Sequence, residues 1–444
     1  MLSILSHRTY RHLFLAQLVA LVGTGLLTVA LGLLAFELAG ADAGQVLGTA
    51  LAIKMVAYIA IAPVVGAFAN RLPRKTFLVA MDLVRAGVAL FLPFVTDIWQ
   101  IYVLIFVLQS ASAAFTPTFQ ASIPDILPDE EEYTKALSLS RLAYDMESLT
   151  SPLIAAALLT VITFNGLFAG TAIGFAASAA LVLTSGLAIA RSAKPVGGSV
   201  WSRTSWGIVM YLKTPRLVGL LAVTLSAAAA GAMVIVNTVV IVREELALSQ
   251  TAYAVTLGAY GFGSMLVALS ISSVLRKVSD RTALIVASVA LTTLLGSLAV
   301  SSYAVGLKWP VILGGWFLLG AAYSLCVTPA GRLLKRSSHS ENRTAIFAAQ
   351  FALSHACWLL AYPLAGWLGA TFGMPLAFAG LGILSLCGFV LALIMWPASD
   401  NDRLAHSHPD LPADHPHLRE GHKAGEPVHP FVIDDIHTHW PKPT

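Results

Sequence analysis

Five ionisable side chains lie within long apolar stretches or at the end of one: Glu37, Lys54, Asp145, Glu147 and His355. Placing such a group at bilayer depth costs about 2.5–3.5 kcal/mol, so ionisable residues there are candidates for function. We expect Asp145 to pair with Arg141, one helical turn before it, whereas Glu147 has no cation at that spacing. The five residues form a predicted proton or substrate path, in which Glu147 is the favoured proton carrier.

Lys54 and His355 each allow more than one interpretation. A lysine repels cations, so beside a path for divalent ions Lys54 would have to be neutralised, and a structural ion pair suits it better. His355 fits a ligand, a proton site or a hydrogen-bonded core histidine equally well.

A second group of residues that could bind ions lies in the tail, residues 400–444, which holds eight of the chain's 12 His. Three His-x-His pairs put both imidazoles on one side of an extended strand, and imidazole is a ligand for nickel, cobalt, copper and zinc. The alternative is a solubilising tail with chance histidines. The predicted metal ligands are His406, His408, His415, His417, His422, His429, His437 and His439. Because the tail is polar and rich in Pro, we expect it to be disordered.

A third constellation is the short basic hairpin that begins at Gly66. We expect Gly66 to let two helix ends approach closely, and the basic residues to pair with acids and helix C-termini. The alternative is a basic anchor on the cytoplasmic face and nothing more. The full set of candidate gating residues is Gly66, Asn70, Arg71, Arg74, Lys75, Asp82 and Arg85.

The composition requires a membrane to surround these groups. The 444 residues are 57% hydrophobic and only 11% charged, with a mean hydropathy of +0.78, whereas a soluble domain needs a polar surface. The basic balance follows from Lys and Arg in the loops, so we predict no nucleic-acid partner. Cys326, Cys357 and Cys387 stand alone in apolar runs, which excludes a disulfide framework and favours simple packing.

Twelve apolar runs are long enough to cross a bilayer as helices. They lie near 13–36, 46–69, 76–95, 99–121, 136–163, 166–190, 216–242, 252–275, 282–305, 309–331, 344–370 and 375–397. Lys and Arg cluster in the loops after even-numbered runs, whereas the loops after odd-numbered runs hold only Arg243 and Lys308. The positive-inside rule therefore places both termini in the cytoplasm. With no small-residue cleavage site before it, we expect the first run to be an uncleaved signal anchor.

The chain also repeats itself. Thr116-Pro117 in the fourth run recurs as Thr328-Pro329 in the tenth, and Pro152 in the fifth recurs as Pro363 in the eleventh. We therefore predict an all-α membrane protein of two six-helix halves. The predicted domains are an N-terminal bundle (1–190), a cytoplasmic linker (191–215), a C-terminal bundle (216–397) and the tail (398–444).

The basic hairpin resembles the loop between the second and third helices of major facilitator superfamily transporters, G-x-x-x-[DN]-R-x-[GP]-R-[RK]. That family usually has Asp where this chain has Asn70. The resemblance implies a twelve-helix transporter that is not an enzyme. The stretch from Ala114 to Asp125 is similar to the macrolide- and siderophore-exporter branch, although the Gly-Pro-rich motif of helix five has Ser and Ala in place of its glycines.

A facilitator with a histidine-rich cytoplasmic tail resembles the bacterial nickel-resistance (nickel/cobalt efflux) exporters. That resemblance implies export of Ni²⁺, and of Co²⁺ with it, by proton antiport across the inner membrane, with the tail collecting metal. Expelling a divalent cation costs about 2.3 kcal/mol per charge per 100 mV, which exchange for two protons offsets. No Walker-type ATP site occurs in the sequence.

Two alternatives remain open at this point. The first is a proton-coupled drug or siderophore exporter whose tail only regulates, and the second is a membrane metal sensor that transports nothing. Cation-binding groups in the cavity would favour metal export, and a large apolar cavity would favour drug export. We expect a monomer in the bilayer with no cofactor beyond transported or tail-bound metal.

Overall fold

The computed structural model describes residues 2–39, 43–68, 72–187, 200–398 and, in the tail, 403–405, 422–423, 426–433, 437 and 439–440. Fourteen α-helices occupy most of this part of the chain. They are α1 (Arg8–Ala39), α2 (Ala43–Phe68), α3 (Arg74–Phe91), α4 (Ile98–Ile126), α5 (Glu130–Leu158), α6 (Phe164–Thr184), α7 (Val200–Lys213), α8 (Pro215–Val239), α9 (Gln250–Val274), α10 (Asp280–Val305), α11 (Trp309–Val327), α12 (Ala330–Arg336), α13 (Arg343–Phe372) and α14 (Met374–Met395). Short 3-10 turns lie at Leu2–Ser6 and Leu92–Phe94, and a π-helical turn at Val240–Glu245 continues α8.

Eleven helical segments of the described chain are long and apolar enough to cross a membrane, one of which combines α11 and α12. The twelfth predicted span is α5, which falls short because it carries three acids in its first turn and Arg141, Asp145 and Glu147 further along. These acids help to start the helix, since negative charge is stabilising at a helix N-terminus. The Asp129 side chain also accepts the Glu132 amide at 2.9 Å. The predicted all-helical membrane fold is confirmed.

The two halves repeat the same close packing between their first and last helices. In the N-terminal half, a Cβ on Gly174 of α6 would lie 2.9 Å from the Val19 carbonyl of α1. In the C-terminal half, a Cβ on Gly388 of α14 would lie 2.5 Å from the Ala222 carbonyl of α8. Glycine lets backbones approach at these points, as small residues commonly do between membrane helices.

The repeated Thr-Pro pairs have different effects in the two halves. Pro117 lies inside the continuous helix α4. Pro329 stands between α11 and α12 and divides the tenth span into two helices. A proline has no amide hydrogen to donate to the helix, so either outcome is compatible with its chemistry.

The linker, interpreted from the sequence as a polar stretch, contains the helix α7. Met210 and Tyr211 on this helix are buried. The helix lies against both α2 and α13, so the linker packs on each half of the molecule. An apolar face on a short segment explains why α7 forms where the overall composition is polar.

The described part of the tail differs from the disorder predicted for it. Strands β1 (Arg403–Ala405), β2 (His422–Lys423) and β3 (Glu426–Pro430) pair antiparallel in the order β1-β3-β2. Phe431, Val432 and Ile433 follow and are buried at 2–4% exposure, with Phe431 and Ile433 in the apolar core of the C-terminal half. These three apolar residues bury enough surface to order a segment that is otherwise polar.

Candidate functional site

A cavity of about 740 Å³ lies between the two halves, near the middle of the bundle. Helices α1 to α5 of the N-terminal half and α13 of the C-terminal half provide its walls. About half of the lining residues are apolar or aromatic, and they include Leu21, Leu27, Ile105, Leu108, Phe115, Phe119, Tyr144 and Phe351. A cavity of this size and character suits a drug-sized organic molecule.

One carboxylate reaches this cavity among the lining residues of the described chain, and it belongs to Glu147. Glu147 lies beside α1, where a Cβ on Gly25 would be 3.1 Å from its Oε1 atom. The carboxylate forms no hydrogen bond with the residues that the structure describes. The positive charge of Lys54, on the opposite wall, acts on it electrostatically. Two of the predicted path residues therefore share the cavity as an acid and a base.

His355 also faces the cavity, inside an aromatic cluster. Its Nδ1 lies 2.7 Å from the Phe351 carbonyl, to which it must donate because a carbonyl oxygen only accepts. The imidazole packs on the rings of Tyr58 and Phe351, with centroid distances of 4.7 and 4.3 Å. Lys54 lies 5.5 Å from the centre of the Tyr58 ring. The arrangement is that of a hydrogen-bonded packed histidine that shares a wall with Lys54.

Asp145 points away from Glu147 and joins the two halves. It pairs with Arg141 at 2.5 Å and accepts the Ser264 hydroxyl of α9 at 2.7 Å. Arg141 in turn donates to the Ser264 oxygen and lies 5.0 Å from the centre of the Tyr323 ring. Asp145 is thus engaged in a bridge between α5 and α9, which leaves Glu147 as the acid that faces the cavity.

Asp82 and Arg85 form a buried pair three residues apart on α3. Ser178 of α6 donates to Asp82 at 2.8 Å, and the Arg85 guanidinium lies 4.2 Å from the centre of the Phe115 ring. Arg85 reaches the cavity wall, while Asp82 lies behind it. The pair connects the α3–α6 packing to the cavity.

The cavity is closed at the end of the bundle that carries Arg74, Arg276, Arg332 and Arg343, which we call the basic end. Asp125, at the close of α4, binds Arg74 of its own half and Arg343 of the other half. Arg74 also donates to the Ser340 carbonyl at 3.4 Å. Asp125 therefore links the two halves at the basic end, because it binds one arginine from each.

Further ion pairs join the halves alongside Asp125. Glu130 binds Arg332, which also donates to the Thr134 hydroxyl at 3.0 Å. Glu131 pairs with Arg276 at 3.4 Å. The hydrogen bond from Lys135 and its charge lower the pKa of the Glu131 carboxyl, so this acid is ionised at neutral pH.

The Arg332 guanidinium also pairs with Asp280, at 3.0 Å, and Asp280 accepts from Arg336 at 3.1 Å. The lining of the cavity runs the other way, to Leu31 and Leu47 near the opposite end of the bundle. The cavity therefore opens away from the basic end.

The gating motif predicted from the sequence is only partly within the described chain, because Asn70 and Arg71 lie outside it. Gly66 meets α13 closely, since a Cβ there would be 2.8 Å from the Cβ of Ala348. Lys75 donates to the Ser185 carbonyl at the end of α6, at 3.0 Å. Gly66, Arg74 and Lys75 thus lie at the closed basic end, whereas Arg85 lies at the cavity wall with Asp82 behind it.

Two groups of predicted residues lie away from the cavity. Glu37 is exposed near the opposite end of α1. In the tail, His422 and His429 lie on strands β2 and β3, His437 is buried against Phe431, and His439 is exposed. His406, His408, His415 and His417 lie outside the described residues. Within the described chain there is no cluster of three or more His, Cys, Asp or Glu that could hold a metal ion.

The sequence model of the Major Facilitator Superfamily matches residues 13–304 and 220–428, which together cover most of the chain. The chain belongs to the Major Facilitator Superfamily. Members of this superfamily are membrane carriers, so the predicted transporter class is confirmed.

The relatives that match this facilitator in sequence include drug exporters. Macrolide efflux protein A of Streptococcus pyogenes is 26% identical over 163 residues, which are 36% of this chain and 40% of that protein. Macrolide efflux protein A of Enterococcus faecalis is 26% identical over 147 residues, 31% of this chain and 45% of that protein. The match thus spans less than half the length of these relatives. They agree with the predicted exporter branch, and neither is a nickel exporter.

Solved structures share the fold of this facilitator across nearly its whole membrane domain. The human organic anion transporter MFSD10 (TETRAN) superposes with a TM-score of 0.72 at 13% identity, covering 87% of this chain and 99% of the other. A bacterial homologue of the iron transporter ferroportin, in an outward-facing state, gives 0.71 at 16% identity and covers 87% and 98%. At these identities the likeness establishes the fold alone.

Sequence reasoning missed the partners across the two halves of the facilitator. Asp125 and Glu130 belong to stretches interpreted only as exporter-branch sequence, and Arg332 and Arg343 are among the loop charges. The pairs that join the halves are formed by residues more than 140 positions apart. The one available signal was charge: acidic residues follow span four, and the loops of the second half are basic.

Proposed function

We propose that this facilitator is a proton-coupled exporter of drug-sized organic compounds in the cytoplasmic membrane of a bacterium. The observation that carries the proposal is the cavity of about 740 Å³, which combines apolar and aromatic side chains with polar ones and has Glu147 as the carboxylate on its wall in the described chain. The partial sequence match to macrolide exporters supports the same class of cargo.

The cavity is poorly suited to the nickel or cobalt first expected. A transition metal requires several nitrogen, oxygen or sulfur ligands at once. Glu147 and His355 share the walls with Lys54, whose positive charge repels a divalent ion. The proposal that the tail histidines bind metal is separate from the cargo of the cavity and is tested separately.

The positive-inside rule supports an orientation with the basic end and both termini in the cytoplasm. In that orientation the ion pairs of Asp125, Glu130 and Glu131 close the cytoplasmic side, and the cavity faces outward. In this outward-facing arrangement the carrier releases its cargo to the outside. It then returns to the inward-facing arrangement.

Glu147 is the proposed proton carrier. An ionised carboxylate in a partly dry cavity with no hydrogen bond to the described chain is stabilised by taking up a proton from the outside. Each proton that then moves inward releases about 2.3 kcal/mol per 100 mV of membrane potential. Exchange of that proton for cargo moving outward drives the export.

The proposal is tested in a bacterium that lacks its own drug exporters. Cells with the full chain should accumulate less erythromycin than cells with the empty vector and tolerate more of it, because the cavity accepts organic cargo. Cells with Glu147→Gln should match the empty vector. Nickel content and nickel tolerance, measured in the same strains, should not change. Lower cytoplasmic nickel with unchanged erythromycin would contradict the proposal.

A further inference from the structure

Four glutamines line the cavity: Gln17 on α1, Gln109 and Gln120 on α4, and Gln350 on α13. Three of them, Gln17, Gln109 and Gln350, have the carbonyl oxygen occupied by a hydroxyl from a neighbouring helix. Ser140 donates to Gln17 at 3.0 Å, Tyr58 donates to Gln109 at 2.9 Å, and Tyr211 donates to Gln350. A primary amide has one acceptor oxygen and two donor hydrogens, so holding the oxygen fixes which group is left over.

The group left over is a hydrogen-bond donor in at least two of these cases. Gln109 and Gln350 have their amide hydrogens available, because their described hydrogen bonds use the oxygen only. Gln17 shares the cavity lining with Tyr144. Lys54 adds an ammonium group that forms no hydrogen bond or ion pair with the described residues.

These donors lie on one side of the cavity, on α2, α4 and α13. The hydroxyls of Thr24 and Thr28, across on α1, each donate to a carbonyl of their own helix at 2.9 and 3.0 Å, and so they can only accept from a ligand. The α2, α4 and α13 side therefore offers the ammonium and amide donors, and the Thr24 and Thr28 hydroxyls on α1 offer acceptors.

We infer that the donor wall of Lys54, Gln109 and Gln350 selects organic cargo rich in hydrogen-bond-accepting oxygens, such as lactone, ketone and ether groups. This inference rests on the proposed function and names the class of its cargo. Removing a donor that meets a buried acceptor costs affinity, because the acceptor is then left unpaired.

Tyr211 is a positioning residue in this arrangement. Its side chain is fully buried and lies on the linker helix α7, outside the cavity lining. Its hydroxyl is what turns the Gln350 amide hydrogens toward the cargo. Tyr211→Phe keeps the ring and removes this hydrogen bond, so the Gln350 amide is free to rotate.

The test compares two probes that carry the same charge. Erythromycin is rich in acceptor oxygens and is a cation at neutral pH, whereas tetraphenylphosphonium is an apolar cation with no hydrogen-bonding group. Binding of each probe to the purified full chain is measured for the wild type, Gln109→Leu, Gln350→Leu and Tyr211→Phe. Gln100→Glu is the control. Gln100 lies in the N-terminal cap of α4, and the glutamate that replaces it keeps the acceptor oxygen of that cap.

We expect Gln109→Leu and Gln350→Leu each to weaken erythromycin binding about fivefold, the loss of one hydrogen bond. Tyr211→Phe should weaken it by a smaller factor, and all three should leave tetraphenylphosphonium within about twofold of wild type. The control should change neither probe.

Four results would overturn the inference. If both probes weaken in parallel, the glutamines matter for structure and not for recognition. If neither weakens, the donors do not meet the cargo. If the wild type binds and exports tetraphenylphosphonium but not erythromycin, export of organic compounds stands and the donor-wall selection fails. Absence of binding and export for both probes contradicts the proposed function as well.

Discussion

Glu147 differs from the other acids of the membrane domain in its surroundings. Asp82 is paired with Arg85, and Asp145 is paired with Arg141. Glu147 faces the cavity with the charge of Lys54 acting across the space. A carboxylate in that position can change its protonation without dismantling a bridge between helices, which is the property that proton coupling requires.

Glu147→Gln should therefore abolish proton coupling and leave the movement of cargo across the membrane intact. The amide is close in shape but cannot ionise, so export driven by a proton gradient should fall at least tenfold, while exchange of cargo down its own gradient should continue. Both rates are measured in vesicles containing the purified chain. Asp145→Asn should instead reduce both rates, because it weakens the bridge to Ser264. Equal loss of both rates in Glu147→Gln would argue against a proton role.

His355 is expected to act as a packed aromatic group. His355→Phe keeps the ring contacts with Tyr58 and Phe351 and loses one hydrogen bond to a backbone carbonyl. Organic export should stay within about threefold of wild type, with stability reduced by about 1 kcal/mol. Thermal unfolding and dye efflux check the two parts. Complete loss of export would indicate that the imidazole itself binds cargo or a proton.

At the scale of elements, the closed basic end depends on how tightly α2 meets α13. A side chain at Gly66 would collide with Ala348 and with the backbone of Ala345, and a Cβ at Gly207 of α7 would lie 2.8 Å from the Ala345 carbonyl. Three helices thus converge on Ala345, two of them through glycine. Their packing joins the N-terminal half, the linker and the C-terminal half at one point.

Gly66→Val should hold the basic end open, because the added atoms cannot fit between α2 and α13 in the closed arrangement. The spacing between spin labels at Leu72→Cys and Lys277→Cys, both exposed at this end, should increase. Gly48→Val is the matched control on the same helix, since a Cβ there meets no atom within 4 Å. An unchanged spacing in Gly66→Val would refute the close-packing explanation.

The tail segment that follows β3 is held on the C-terminal half through Arg216. That guanidinium donates to the Phe431 carbonyl at 3.2 Å and to the Ser337 hydroxyl at 2.8 Å. Phe431→Asp should release the segment, because it places a charge in a site that is 2% exposed. Limited proteolysis should then cut near the segment, while His439→Ala, at an exposed position, should leave the pattern unchanged. Equal protection in Phe431→Asp would show that the segment is held by other contacts.

The helical elements could be predicted from the sequence because each rests on a local apolar run. The bounds shifted where capping mattered, as at α5, which begins at Glu130 and not near 136. The helix α7 was missed, since its apolar face packs against distant parts of the chain. The apolar residues near Phe431 suggest docking, but the sequence does not give the surface on which they dock. For the site, Glu147 and Lys54 were predicted individually, but their common cavity and the glutamine donors arise only when α2, α4, α5 and α13 come together.

At the scale of the whole molecule, each half has an ion pair between a loop residue and a residue at the end of a span. The acid and the base exchange places between the two halves. In the first half the loop residue Arg74 pairs with Asp125 at the end of the fourth span. In the second half Asp280, in the loop between the eighth and ninth spans, pairs with Arg336 at the end of the tenth. The loop residue of the pair is thus a base in the first half and an acid in the second, and the residue at the end of the span has the opposite charge.

Arg343→Asp should shift the equilibrium toward the arrangement with an open basic end, because it turns an attraction to Asp125 into a repulsion. A shift of the open-to-closed ratio of roughly tenfold is expected, equivalent to about 1.4 kcal/mol. The same pair of spin labels reports the populations. Adding Asp125→Arg should recover part of the closed state, although Arg74 then faces a cation. Failure of the double variant to recover any closed state would contradict a direct pairing.

The most direct test of the account is transport by the purified full chain in lipid vesicles with an acidic interior. Protons that leave should drive erythromycin inward, so the account predicts accumulation above the external concentration, which a protonophore abolishes and Glu147→Gln lacks. Radioactive nickel in parallel vesicles should stay at the level of empty vesicles. Nickel accumulation without erythromycin accumulation, or erythromycin accumulation that the protonophore leaves unchanged, would contradict the central claim.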